Sequence, residues 1–265
     1  MSLADVFDRV IFHIVYLDGQ QNRIASGSAF STCGYLVTNH HVFLGFAGSR
    51  AWIRREGEED PSKGFVLGLG EFQKRLRSGS EQKDFDFAVL DVPEVVAHKE
   101  VYSFALKGKA GYRCGENVAF AGYPFEHLNL TSHTGMISSF FKSGQVEVIQ
   151  LDASVNPSNS GGPLFDVASG DVLGIVTRRA TGLTRAFDEL RRTLTANIQV
   201  IGAARAGGAV RLMRIDPLEV LTIGQRQMLL TLDEIERQAN VGIGYAFSAQ
   251  HLMDDNLIHR VTHPD

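Results

Sequence analysis

Three short segments hold the residue types that carry out nucleophilic acyl transfer. Leu36-Val-Thr-Asn-His-His-Val42 ends an apolar stretch in a polar turn bearing His40 and His41. Asp84-Phe-Asp-Phe-Ala-Val-Leu90 runs from a carboxylate directly into an apolar stretch. Asp152-Ala-Ser-Val-Asn-Pro-Ser-Asn-Ser-Gly-Gly-Pro-Leu164 holds Ser160 among small and turn-forming residues. A serine hydroxyl is a weak nucleophile until a base takes its proton, and an imidazole does so best when a carboxylate orients it. Taken singly, each group has a plainer reading: a structural histidine, an aspartate capping a strand, a serine in a loop. Only a fold that gathers all three makes a site of them.

The elements that must do the gathering read mostly as strands. From residue 9 to about 180, short runs rich in Val, Ile, Phe and Tyr alternate with Gly, Ser, Asn and Asp. The runs are 10–17, 24–31, 34–38, 65–70, 85–91, 117–121, 135–140, 146–151 and 172–177. Many short strands at that spacing predict a barrel or sandwich, with 92–110 as a join between two halves. Beyond residue 180 the period changes. Leu183, Phe187, Leu190, Leu194, Ile198 and Ile201 recur at steps of three and four, which sets them on one helical face. Asp216-Pro217 pairs an N-cap residue with proline at the first helical position, opening a second helix through Leu221, Met228, Leu232 and Ile235. With Gly207-Gly208 between them, these form a helical hairpin inserted at about 181–239. The strand 241–247 and a short helix near 249–255 follow.

The chain order His, Asp, Ser discriminates among the folds that reach such a triad. It is the order of the chymotrypsin double barrel. The G-x-S-x-G elbow of the α/β-hydrolases is missing, because Ser158 stands two residues before Ser160. With their flanks, the three segments resemble the T-N-x-H-V, D-x-A-V-L and N-P-x-N-S-G-G-P-L motifs of trypsin-like serine peptidases of the HtrA type. Residues 241–247 resemble that family's closing G-I-G-F-A strand, and the resemblance covers about 9–180 and 240–256.

This resemblance implies two six-stranded antiparallel β-barrels, the chymotrypsin/trypsin fold, with the hairpin inserted in the second. The domains expected are 1–95, with His41 and Asp86, and 110–265, with Ser160. It implies a serine endopeptidase in which Ser160 is the nucleophile, His41 the base and Asp86 the orienting acid. His40 takes the family's variable position. The oxyanion donors would be the N–H groups of Ser158 and Ser160. Ser158 replaces the family's glycine; serine is expected to fit there without strain, the alternative being a strained positive-φ turn whose peptide rests flipped and non-productive. Asn159, uncharged, excludes activation by an ion pair to a newly cut N-terminus. Ser154 would lie at the base of the primary pocket, with Thr177, Arg178 and Arg179 on the strand that pairs with substrate. No carboxylate marks that base, so small or medium apolar side chains are expected there rather than Lys or Arg. The alternative is a latent or inactive binding module that presents the hairpin to a protein partner. About ten residues follow the last helix, so no PDZ domain is expected.

Composition narrows the class. The chain of 265 residues is 44% hydrophobic, enough to bury a substantial core. Its 26 basic and 30 acidic residues leave a net charge of -4 with no basic run, so nucleic acid is not an expected partner. The apolar stretch 10–17 is interrupted by His13 and is too short to span a bilayer or to direct export. Two cysteines, Cys33 and Cys114, outside any C-x-x-C or Cys/His cluster, predict free buried thiols and a cytoplasmic location, with one disulfide as the alternative. No metal or cofactor is expected. Partners are a protein or peptide substrate and, through the hairpin at 184–236, a second protein or a second copy.

Overall fold

Ile-Phe-His-Ile-Val-Tyr-Leu forms β1 (Ile11–Leu17), buried along its whole length, in a computed structural model that describes residues 10–44, 48–99, 101, 103–124, 128–156, 158–177, 182–206, 216–239 and 242–262. A strand apolar on both faces needs a core on each side. Phe12, Ile14 and Tyr16 enter one cluster with Ala29, Leu36, Ala51 and Leu90. Ile11, on the alternate face, enters a second cluster with Phe30, Val37, Ala121, Phe165 and Ile175. The strands around β1 are β2 (Arg23–Thr32), β3 (Tyr35–Thr38), β4 (Arg50–Arg54), β5 (Phe65–Gly68), β6 (Leu76–Ser80) and β7 (Phe87–Leu90). They make an open seven-stranded half-barrel ordered β5-β4-β1-β2-β3-β7-β6. Two short helices, α1 (His40–Leu44) and α2 (Leu69–Gln73), occupy its connections, and a third, α3 (Pro93–Val96), follows β7 on the way to the second sheet.

The second sheet closes. Its strands are β8 (Asn117–Gly122), β9 (Thr131–Ser143), β10 (Val146–Leu151), β11 (Pro163–Asp166), β12 (Val172–Thr177) and β13 (Gly244–Ser248), in the order β10-β13-β12-β11-β8-β9. Val118, Phe120, Ile137, Ile149, Leu164 and Leu173 fill its interior. The cluster that receives Ile11 is therefore the packing between the two sheets, and this is the chymotrypsin-like double barrel. Three strands lie outside the runs singled out in the sequence. Arginines bound β4, and β6 reads Leu-Arg-Ser-Gly-Ser, so neither shows clean alternation. β11 follows the Ser-Gly-Gly turn and becomes a strand by pairing with both β8 and β12. The run 65–70 stops as a strand at Gly68 because Phe72 is buried from the helix that follows.

Residues 179–241 form a compact unit of their own. It consists of α4 (Gly182–Ala206) and α5 (Pro217–Ala239). Asp216 caps α5 by accepting the Leu218 and Glu219 N–H groups at 3.0 and 3.3 Å, and it pairs with Arg205 at 2.9 Å. Leu194 and Leu232 are buried, whereas Leu221, Met228 and Ile235 stay about half exposed. After β13, α6 (Gln250–Met253) and α7 (Asn256–Thr262) send Leu252 and Ile258 into the cluster between the sheets. Both cysteines are free, as expected, but neither is buried: Cys33 is half-buried and Cys114 exposed. Among the described residues no helix is long and apolar enough to cross a membrane, and no group of three or more His, Cys, Asp and Glu could hold a metal ion.

Candidate active site

β3 and β7 are neighbours, with Thr38 opposite Ala88. The residues that follow one strand and precede the other are therefore brought together. His41 sits in α1, just after β3, and Asp86 lies one residue before β7. The His41 ring Nδ1 is 2.7 Å from Asp86 Oδ2, and the His41 backbone N–H donates to Oδ1 at 3.0 Å. Asp86 is 1% exposed and has φ of 49°, a left-handed conformation that Asp and Asn tolerate better than most residues. Asn39 Nδ2 donates to the Asp86 carbonyl at 2.9 Å, fixing the backbone on which the carboxylate turns. A ring held through Nδ1–H leaves Nε2 as the acceptor. The neighbouring His40 takes no part in this contact and instead approaches Phe43, ring centroids 6.3 Å apart.

Ser160 stands at the end of a tight turn leading into β11 and is 6% exposed. Gly161 and Gly162 pair with Val176 of β12 on one side, at 2.9 and 2.8 Å. On the other side the Ser28 N–H donates to the Ser160 carbonyl at 2.8 Å, and Thr38 Oγ1 donates to the Ser28 carbonyl at 2.7 Å. The serine turn is thus bonded to β2 and, one strand further, to the strand that delivers His41. Gly161 has φ of 89°, and a Cβ there would collide with the Ser28 carbonyl and Thr38 Oγ1. Only glycine meets both demands.

The turn before the serine corrects one expectation. Asn159 N–H donates to the Asn156 carbonyl at 3.2 Å, and Ser158, third of the four residues, has φ of 69°. A positive φ at the third position of a turn ordinarily calls for glycine, and this chain has Ser158 there. Serine is held there in the left-handed region, not in an unstrained one. Two hydrogen bonds accompany it. Ser26 Oγ donates to Ser158 Oγ at 3.0 Å, and Ser28 Oγ donates to the Ser158 carbonyl at 2.8 Å. Asn159 is fully buried, and neither atom of its side-chain amide has a hydrogen-bond partner among the described residues.

Of the residues tied to substrate, Ser154 is part-buried, its Oγ accepting the Gly242 N–H at 2.6 Å. A Cβ on Gly244 would strike the Ala153 carbonyl and Val155 at 2.6 Å, so this backbone approaches closely beside Ser154. Thr177 closes β12 opposite Tyr245 and is 2% exposed. Arg178 and Arg179 lie outside the described residues. The sequence reading passed over Asn39, Ser26 and Ser28. For the two serines the available signal was the pair of hydroxyls two residues apart, hence on one face of a strand.

The sequence model of the family described as trypsin-like peptidase domain matches residues 25–175. Serine protease HTRA1A of Danio rerio is 27% identical over 241 residues, 81% of this chain and 46% of that protein. Serine protease HTRA3 of Homo sapiens is 29% identical over 220 residues, 73% of this chain and 44% of that protein. The chain thus spans somewhat less than half the length of these relatives. Among solved structures, an HtrA-type protease with tripeptide superposes with a TM-score of 0.50 at 24% identity, covering 68% of this chain and 54% of that one, a likeness of fold. With the family's model matching residues 25–175, more than half of its length, the chain belongs to the family of trypsin-like peptidase domains.

Proposed function

We propose that this chain is a serine endopeptidase that cleaves peptide bonds through an acyl-enzyme on Ser160. Membership of the family supports proteolysis. The observation that carries the assignment of roles is the 2.7 Å contact of His41 Nδ1 with the buried Asp86 carboxylate. His41 Nε2 takes the Ser160 proton as Oγ bonds to the substrate's carbonyl carbon. The carbonyl oxygen becomes an oxyanion received by the N–H groups of Ser158 and Ser160, each worth about 3 kcal/mol in such sites. Asp86 holds the imidazole tautomer and offsets the imidazolium charge. The carbonyl re-forms as the C–N bond breaks, and the imidazolium passes its proton to the departing amine. Water, deprotonated by His41, then attacks the ester and frees Ser160. The sequence of steps uses no cofactor or metal.

Ser154, at the base of the primary pocket in this reading, brings no charge, which favours small or medium apolar side chains. The substrate backbone pairs along Thr177, Arg178 and Arg179. The hairpin acts as a regulatory element gripped by a protein partner or a second copy. Its chain leaves β12 and returns to β13, two strands paired with one another, and this continuity supports the reading. The free thiols of Cys33 and Cys114 suit a reducing, cytoplasmic location.

Labelling by a fluorophosphonate probe tests the function. The wild type is expected to label and the folded Ser160→Ala variant not to. A folded wild type that resists labelling would favour the binding module or a latent state.

A further inference from the structure

We propose that Ser26 is a positioning residue that holds the oxyanion turn open, compensating for the serine this chain carries where its family has glycine. The proposal rests on the reading of Ser160 as nucleophile. A four-residue turn with proline second has two forms of nearly equal reach, differing by rotation of its central peptide. In type II the third residue has positive φ; in type I it has φ near -90°, which any L residue prefers. The rotation turns the Ser158 N–H away from the position it would hold as an oxyanion donor. Glycine is indifferent to the choice, whereas serine is biased toward the non-productive form. Yet Ser158 stands at φ of 69°.

What opposes the bias comes from β2. Ser26 Oγ donates to Ser158 Oγ at 3.0 Å, a bond that exists only because residue 158 has a hydroxyl. Ser28 Oγ accepts the Tyr123 N–H at 3.0 Å, which directs its own proton to the Ser158 carbonyl at 2.8 Å. The Ser28 N–H secures the Ser160 carbonyl at 2.8 Å. Two residues spaced by two on one strand face thus fasten the turn at three points. Ser28 is fully buried and also satisfies Tyr123, so it is structural as well. Ser26 is half-buried at the start of the strand, and the bond to Ser158 is its distinguishing contact. The side chain that strains the turn also supplies the acceptor that holds it.

The test is Ser26→Ala, Ser158→Gly and the double variant, each checked for a cooperative thermal transition. Turnover of a small ester and the Ser160 amide cross-peak in serine-labelled protein are followed together. Loss of one neutral hydrogen bond predicts that Ser26→Ala lowers kcat about fivefold with KM little changed, and that the Ser160 cross-peak moves or doubles. Adding Ser158→Gly to Ser26→Ala is expected to bring both readouts back, since glycine needs no restraint at positive φ. A Ser26→Ala protein with wild-type kcat and an unmoved cross-peak overturns the proposal. So does a loss that Ser158→Gly leaves unrepaired, which would mark Ser26 as structural. If the wild type turns over no ester, the catalytic reading fails by itself, and the cross-peak still decides whether Ser26 sets the turn.

Discussion

The environment of Asp86 separates two roles that one residue combines. Its carboxylate takes two bonds from His41, while its backbone is held at φ of 49°. Asparagine tolerates that conformation but offers an amide where the ring needs an acceptor, so Asp86→Asn should fold normally and lose about 10⁴ in kcat. Alanine suits neither role. Asp86→Ala is expected to add a destabilisation of about 1–2 kcal/mol for the left-handed backbone, visible as a lower melting temperature. If Asp84→Asn proved the damaging change instead, the acid would be misassigned. His41→Ala should abolish turnover and His40→Ala leave most of it, because only His41 meets Asp86. Equal losses in the two histidine variants would remove the distinction.

At the scale of elements, the serine turn depends on how closely β2 approaches it. Gly161 lies against the Ser28 carbonyl and Thr38 Oγ1 with no room for a Cβ, and its φ is 89°. Gly161→Ala therefore meets a conformational penalty and an overpacking penalty together, at least about 2 kcal/mol. Because the displaced partner is the strand that carries Ser26 and Ser28, activity should fall further than stability alone accounts for. Urea denaturation set beside ester turnover checks this, and a variant as stable as the wild type would show that β2 yields freely. On the same strand, a Cβ at Gly27 would run into the side chain of Val42, in the helix that bears His41. The strand that fastens the Ser160 turn is thus also packed against the helix that bears His41.

Over the whole molecule, the contact between the two sheets contains a buried histidine outside the proposed chemistry. His13 stacks on Tyr123 at 4.5 Å and meets Arg54 Nη1 at 3.3 Å. Burial, reinforced by the charges of Arg54 and Arg23, holds its pKa down at about 3 against an ordinary 6.5. Above pH 6.5 the ring is neutral in both states and does not affect folding. As pH falls from 6.5 toward 3 the unfolded chain alone takes up the proton, so stability is lost across that window. At about 1.4 kcal/mol per unit, the loss at pH 5 should be about 2 kcal/mol. His13→Phe keeps the stack and removes the titration, so its stability should depend less on pH between 7 and 4.5; an unchanged slope would absolve His13. The hairpin, a compact unit by itself, permits a second test at this scale. Replacing 184–236 by a short Gly-Ser linker should leave a cooperatively folding protein whose ester turnover changes about fivefold or more if the hairpin gates the site. Unchanged turnover of esters and of proteins would reduce it to decoration.

Which side chains are candidates, and in what order they come, can be read from the chain alone. Its turn-forming residues mark where strands end, and the steps of three and four after residue 180 mark the two helices. Asp216-Pro217 reads directly as the start of α5 because a cap is a local interaction. Where an element exists only through its neighbours, the sequence is silent: β6 has too few apolar residues to alternate, and β11 is a strand because β8 and β12 flank it. The contact of His41 with Asp86, 45 residues apart, likewise follows from the adjacency of β3 and β7. The conformation of Ser158 shows the limit most directly. Local preference argues for an unstrained serine, and the tertiary structure decides otherwise, because hydroxyls about 130 residues away hold the turn in the form that serine alone would leave.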